Sequence, residues 1–221
     1  MQRTLTIAKR EFRGYFNSPA AYIVICLFLL LMGFFFWNPF FLVNRASVRS
    51  MFDLMSILLL PTAPALTMGL LAEEKRTGTI EILLTMPVRD PEVIVGKYLA
   101  ALGVLLVLLT CTLAYPISVS TLGNLDWGPV LAGYVALVLQ GGAMLALGVL
   151  ASSWTDNQLI AFFTSGIICF AFWMVGRFLP FVPQSAASIV EWISFDYHFQ
   201  DIVRGVLDSR HIIYFLTVIG F

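Results

Sequence analysis

The nearest approach to a nucleotide-binding signature is Gly96-Lys97. A phosphate-cradling loop needs a glycine five positions before that Gly-Lys pair. It also needs a Ser or Thr after it, so that backbone amides meet the phosphates and a hydroxyl meets the metal. Here the upstream position is Pro91 and the following residue is Tyr98, so the pattern fails twice. There is no H-E-x-x-H, no G-x-S-x-G and no pair of buried carboxylates able to serve as acid and base. His198 and His211 lie next to an apolar stripe and at the edge of an apolar run, which suits interface residues better than metal ligands. Cys26, Cys111 and Cys169 each sit inside an apolar run and read as small hydrophobes. The sequence therefore predicts no catalytic residue, no bound cofactor and no metal. Work done by such a chain must draw its energy from a partner.

The elements around these residues belong to a membrane protein. Of 221 residues, 59% are hydrophobic and 12% charged, about half the charge of a soluble domain. The mean hydropathy is +0.89. A helix needs roughly 20 mostly apolar residues to cross a bilayer, and five runs qualify: 20–37, 54–71, 93–115, 130–151 and 157–179. A sixth begins near His211 and is still in progress at Phe221. The first run is too long and aromatic for a signal-peptide core and reads as a retained span. Asp90-Pro91 predicts a cap followed by proline at the first helical position. Thr155-x-x-Gln158 predicts a capping box, and Pro116, Pro180 and Pro183 predict stops.

Net charge is zero and says nothing about nucleic acid, which is not an expected partner. Placement is more telling. Segments 1–18 and 72–97 hold Arg3, Lys9, Arg10, Arg13, Lys75, Arg76, Arg89 and Lys97. The opposite side holds only Arg45, Arg49, Arg177, Arg204 and Arg210. The positive-inside rule then puts the N-terminus in the cytosol. Residues 4–16 wrap into a lopsided helix, with Leu5, Ala8, Phe12, Tyr15 and Phe16 on one face and Lys9, Arg10 and Arg13 beside it. Two readings apply: an interfacial helix with its apolar side in lipid, or a positive flank that orients the first span. On the outer side, Phe195, Phe199, Ile202 and Val206 form a helical stripe within residues 181–210, pointing to short helices before the sixth span. Pro61 and Pro64 bend the second span, either for packing or as a hinge along a pathway. Gly142-x-x-x-Ala146 and Gly148-x-x-x-Ser152 give the fourth span small faces for close helix packing. Gln140 is its one strongly polar deep side chain, suited to bonding a neighbouring helix.

The densest charge lies in 70–100, with Glu73, Glu74, Lys75, Arg76, Glu81, Arg89, Asp90, Glu92 and Lys97. Within it, Ile80–Met86 predicts one short helix, about 10 Å long at ~1.5 Å per residue and stopped by Pro87. Ile80, Leu83 and Leu84 share a face. Apolar knobs on an otherwise solvated turn predict a docking surface.

The stretch "LLAEEKRTGTIEILLTMPV…GKYLAAL" resembles the signature of the ABC-2 family of ABC-transporter permeases. "ASSWTDNQLIAFF" and "YHFQDIVRGVLDSRHIIYF" resemble the branch that contains the gliding-motility-associated permease and, more distantly, the permease of the copper-enzyme maturation system. Matching segments run from Ala8-Lys9-Arg10-Glu11-Phe12 to the end. The resemblance implies an all-α, six-span transmembrane domain in a bacterial cytoplasmic membrane, with an N-terminal interfacial helix, a cytosolic coupling helix and short outer helices. It implies that two permease chains pair, as homo- or heterodimer. Each docks a separate ATPase subunit that carries the ATP and Mg, and an extracytoplasmic accessory protein can join them. Ile80, Glu81, Leu83, Leu84 and Met86 would enter a cleft of the ATPase, and Glu73, Glu74, Lys75 and Arg76 would flank it. Lys9, Arg10, Phe12 and Arg13 would brace the interface from the membrane plane. The output would be export-type movement of substrate, or force. The alternative is a stand-alone secondary transporter or channel, which predicts intramembrane charge or paired broken helices.

Overall fold

The computed structural model describes residues 2–43, 49–78, 89–122, 125–181, 190–205 and 208–221. Among these, all regular structure is helical. In chain order the helices are α1 (Gln2–Asn17), α2 (Pro19–Val43), α3 (Arg49–Thr67), α4 (Ala72–Thr77), α5 (Asp90–Thr112), α6 (Ala114–Leu122), α7 (Trp127–Trp154) and α8 (Gln158–Val175). A 3-10 turn (Gly176–Phe181), α9 (Phe195–Val203) and α10 (Ser209–Gly220) follow. Among the described residues, five stretches are long and apolar enough to cross a membrane: Pro19–Asn38, Arg49–Thr77, Asp90–Thr121, Trp127–Trp154 and Gln158–Phe178. These are the five expected spans, most of them extended beyond their apolar cores.

The extensions correct several expectations. Pro116 does not stop the third span. The helix breaks at Leu113 and restarts at Ala114, so Pro116 falls in a first turn, where its missing N–H has no helical acceptor to lose. The second span starts at Arg49 and takes in Asp53, a charge that the apolar run 54–71 left out. Its carboxylate accepts a 3.1 Å hydrogen bond from Gln200 on α9. The third span is capped by Arg89, one residue early, with the Glu92 carboxylate accepting from the Arg89 N–H at 3.2 Å. Thr155 and Gln158 do not form a capping box. Gln158 is already the first helical residue, and Asn157 caps it by accepting from the Leu159 N–H at 3.0 Å.

Helix α7 is the hub, packed against α3, α5, α8, α9 and α10. Its small residues allow this. A side-chain carbon at Gly148 would lie 2.1 Å from Thr67 Oγ1, and one at Gly133 would lie 2.5 Å from the Phe52 ring. Glycine lets the α3 and α7 backbones approach where no larger residue fits. In the same interface the Gln140 amide donates to Ser56 Oγ at 2.8 Å. By contrast α2 and α8 turn large apolar residues outward, among them Leu30, Phe34, Phe163 and Ile167.

Helix α1 packs mainly on α5 and less on α2. A side-chain carbon at Gly96 would meet Ile7 at 2.9 Å, and one at Gly103 would meet the Phe12 ring at 3.0 Å. Ala8, Phe12, Tyr15 and Phe16 are half-buried, whereas Leu5 is exposed. The apolar face expected in lipid therefore lies largely against protein, because α5 offers it a groove of small residues.

Candidate docking site and its socket

Between α3 and α4 the backbone leaves the helix for one turn, 68–71. Such a break strands carbonyls and N–H groups that a membrane interior cannot hydrate. Here side chains from three other helices fill them. The Tyr15 hydroxyl of α1 donates to the Leu66 carbonyl. Ser152 Oγ of α7 donates to the Met68 carbonyl at 3.1 Å and accepts from the N–H groups of Leu71 and Ala72 at 3.2 and 3.1 Å, which fills the hydroxyl's hydrogen-bonding capacity. Lys97 Nζ of α5 donates to the Leu70 carbonyl at 2.8 Å. Burial raises the Tyr15 hydroxyl's pKa, helped by the nearby Glu11 charge, and keeps the group a donor.

Lys97 was counted above as a loop charge, but its side chain is only 2% exposed. It lies two turns into α5. Glu74 Oε1 of α4 is 2.7 Å away and Glu11 Oε1 of α1 is 3.9 Å away. A buried ammonium needs this company, since an unpaired one is strongly destabilising. Lys75 of α4 also donates to the Ser153 carbonyl at the end of α7. The α4 stem, closed by Gly78 in the left-handed conformation at φ 72°, is thus tied to α5 and α7. Beside it a cavity of about 510 Å³ opens between α1, the end of α3 and α4, lined in part by Glu11, Tyr15, Glu74 and Lys97.

The predicted docking residues Ile80, Glu81, Leu83, Leu84 and Met86 fall in 79–88, outside the described residues. Their two anchors, Gly78 and Arg89, are described. The predicted flank divides: Glu74 and Lys75 bind their own chain, while Glu73 and Arg76 are exposed. Lys9, Arg10 and Arg13 are exposed on α1, and Phe12 sits against Gly103. Pro61 is exposed and Pro64 buried within a helix that runs through both. Sequence reasoning missed Tyr15, Glu11, Lys97 and Ser152 as one group. One signal was available: a lysine seven residues past a helix cap, inside an apolar run, must find a counter-charge.

At the opposite end, Phe195, Phe199 and Ile202 of α9 are buried, and the expected fourth member of that stripe, Val206, lies outside the described residues. His198 and His211 touch, Nδ1 to Nδ1, at 2.7 Å. His198 Nε2 is 3.2 Å from the Trp192 carbonyl, which can only accept. That nitrogen therefore carries the proton, and Nδ1 accepts from His211. His211 Nε2 lies 3.6 Å from Asp201. His198 stacks on Tyr214 with ring centroids 4.0 Å apart. Burial lowers its pKa below the ordinary histidine value. Asp196 pairs with Arg177 at 3.3 Å. Its pKa is raised by burial, against the pull of that arginine. Among the described residues no group of three or more His, Cys, Asp or Glu is placed to hold a metal.

The family model described as ABC-2 family transporter protein matches residues 38–200, about three-quarters of the chain. The match takes in α3 to α8, the α4 stem and the docking segment. No curated protein matches the chain.

Proposed function

The chain belongs to the ABC-2 transporter family, and from that premise we propose that it is the permease subunit that receives the stroke of a separate ATPase through residues 73–90. Members of this family are membrane components rather than catalysts and generally work with an ABC ATPase subunit. The observation that carries the reading is the socket at 66–72. A broken backbone filled by α1, α5 and α7 adjoins α4, the helix that precedes the docking segment in sequence. A push on α4 therefore reaches three other helices at once.

In this reading the α4 end faces the cytosol of a bacterium, in keeping with its excess of lysine and arginine. Two permease chains pair, and the apolar knobs Ile80, Leu83 and Leu84 enter a cleft of an ATPase whose ATP and Mg drive the cycle. Glu73 and Arg76 meet the partner's rim, while Glu74 and Lys75 hold the stem. Direction is outward. The likeness of residues 151–163 and 197–215 to the gliding-motility-associated branch favours an extracytoplasmic partner and an output of force.

Buried charge would suit the alternative, a stand-alone ion-coupled transporter. Lys97 and Asp53, however, sit at opposite ends of the bundle, and each has a bonded partner. Co-expression with an ATP-binding subunit, purification of the complex and measurement of its ATPase activity test the proposal. A stable complex with permease-dependent turnover is the expected result, and no complex would overturn the reading. Leu83→Asp is expected to abolish coupling while leaving the spans inserted, because a charge would replace an apolar knob in the cleft.

A further inference from the structure

We propose that Lys97 is the positioning residue of the coupling stem, and that it exchanges its ammonium between Glu74 on α4 and Glu11 on α1 as the stem moves. This rests on the reading that α4 is the part a partner displaces. The geometry is a buried cation between one engaged carboxylate and one in reserve. Lys97 Nζ is 2.7 Å from Glu74 Oε1 and 2.8 Å from the Leu70 carbonyl, both on the stem side. Glu11 Oε1 stands 3.9 Å away, too far for a hydrogen bond and near enough to attract. An ammonium has three protons, and two are taken by the stem.

A single buried ion pair would oppose any motion of α4, because separating it leaves a buried ammonium without its counter-charge. A second carboxylate removes that barrier. When α4 shifts, Lys97 keeps a counter-charge by turning to Glu11, and α1 is drawn in as α4 is released. Two further observations fit. Glu11 is half-buried beside Lys97, whereas its basic neighbours Lys9, Arg10 and Arg13 are exposed. Glu11, Glu74 and Lys97 also line the same cavity of about 510 Å³, which gives the stem room to move. Lys97 thereby links the N-terminal helix and the docking stem in opposite phases of one cycle.

The first test uses the purified chain alone. Thermal midpoints are measured for wild type, Glu11→Gln, Glu74→Gln and the double variant. If either carboxylate can hold the ammonium, each single change lowers the midpoint by about 2–4 °C and the double lowers it by clearly more than their sum. Additive shifts would overturn the exchange. The second test separates exchange from mere support. Spin labels at Gly14→Cys and Thr77→Cys, in a background lacking Cys26, Cys111 and Cys169, report the α1–α4 distance. Glu74→Gln is expected to shift that distance and Glu11→Gln to leave it unchanged. The opposite pattern, or no shift in either, counts against the proposal. In the complex with the ATPase, Glu11→Gln should leave assembly intact and slow coupled ATP turnover several-fold. Wild-type turnover in that variant would also overturn the exchange. Failure of the wild-type chain to bind any ATPase would instead sink the permease reading, and the midpoints would still decide whether the ammonium is shared.

Discussion

At the α4 end of the bundle a lysine, a serine and a tyrosine reach across from three helices to fill one turn of open backbone. At the α9 end two imidazoles share a proton, and a carbonyl and a carboxylate complete the set. Both ends hold short helices against the hub α7, and both bury polar atoms to do so. They differ in what can undo them. The α4 end rests on an ion pair and on hydroxyls gathered around one open turn, so displacing α4 undoes it. The α9 end rests on a group that ordinarily titrates near neutrality. In the proposed reading one end is the part that is pushed, whereas the other is the part that responds to pH.

The largest expected effect tests whether α7 is the frame for the α4 end. Gly148→Leu puts a side chain where Thr67 Oγ1 already lies 2.1 Å from the first added carbon. Overpacking of this kind costs about 1–3 kcal/mol or more, and forced separation of α3 from α7 should also lift Ser152 away from the turn. Hydrogen exchange at residues 68–77 should rise, with α9 and α10 little changed. Equal loosening at both ends would erase the contrast.

Ser152→Ala is milder and sharper. It adds no bulk but strands the Met68 carbonyl and the Leu71 and Ala72 N–H groups, at about 1–3 kcal/mol for buried groups left unmade. Ser152→Thr keeps the hydroxyl and should recover part of the loss in thermal midpoint. Loss that tracks side-chain size instead of the hydroxyl would reduce Ser152 to a packing residue.

Acid should produce the smallest effect and confine it to the other end. The folded-state pKa of His198 is lowered by burial, so the unfolded chain binds the proton more readily. Its contribution is complete above the ordinary histidine pKa of about 6.5 and is lost as pH falls below that toward the folded value. A second proton would also point two N–H groups at one another across the 2.7 Å contact. Asp196 works in the opposite sense. Burial raises its carboxyl above the usual range, with Arg177 drawing it back, so its contribution grows as pH falls toward that range. Among the described residues, Asp201 and Arg204 lie beside the pair, Asp208 and Arg210 stand at the start of α10, and Glu191 acts on the neighbouring Tyr197. Between pH 7.5 and 5.5, protection at α9 and α10 should fall in wild type and less so in His198→Phe, while residues 68–77 stay constant in both. A change at 68–77 of the same size would break the comparison.

Five of the six predicted spans could be read from hydrophobicity alone, because a run of apolar residues long enough to cross a bilayer has few other fates. The small-residue spacing of α7 was also legible, since close packing requires it. What escaped were bonds between distant positions. Tyr15 sat on an apolar face and was grouped with the phenylalanines beside it, although its hydroxyl is what reaches Leu66. Ser152 appeared only as a small residue. Lys97 appeared as a flank charge, because nothing in a linear reading says that α1 will cover it. Pro116 and Thr155 misled for a local reason: Pro116 lies two residues into a restarted helix and Thr155 two residues before the actual cap, and a cap or a stop is decided by backbone geometry rather than by residue type. The docking residues Ile80, Glu81, Leu83, Leu84 and Met86 remain a sequence-level inference from their apolar spacing.

The clasps on the α3–α4 turn also set a schedule for biogenesis. They come from positions 15, 97 and 152, and the last is synthesised some eighty residues after the turn it closes. A ribosome-bound intermediate that has threaded only its first three spans would therefore carry an unfinished turn. The stem reaches its final form only once the fourth span has been delivered to the bilayer. A partner that recognises the finished stem would pass over incomplete chains, and docking would double as a proof of insertion.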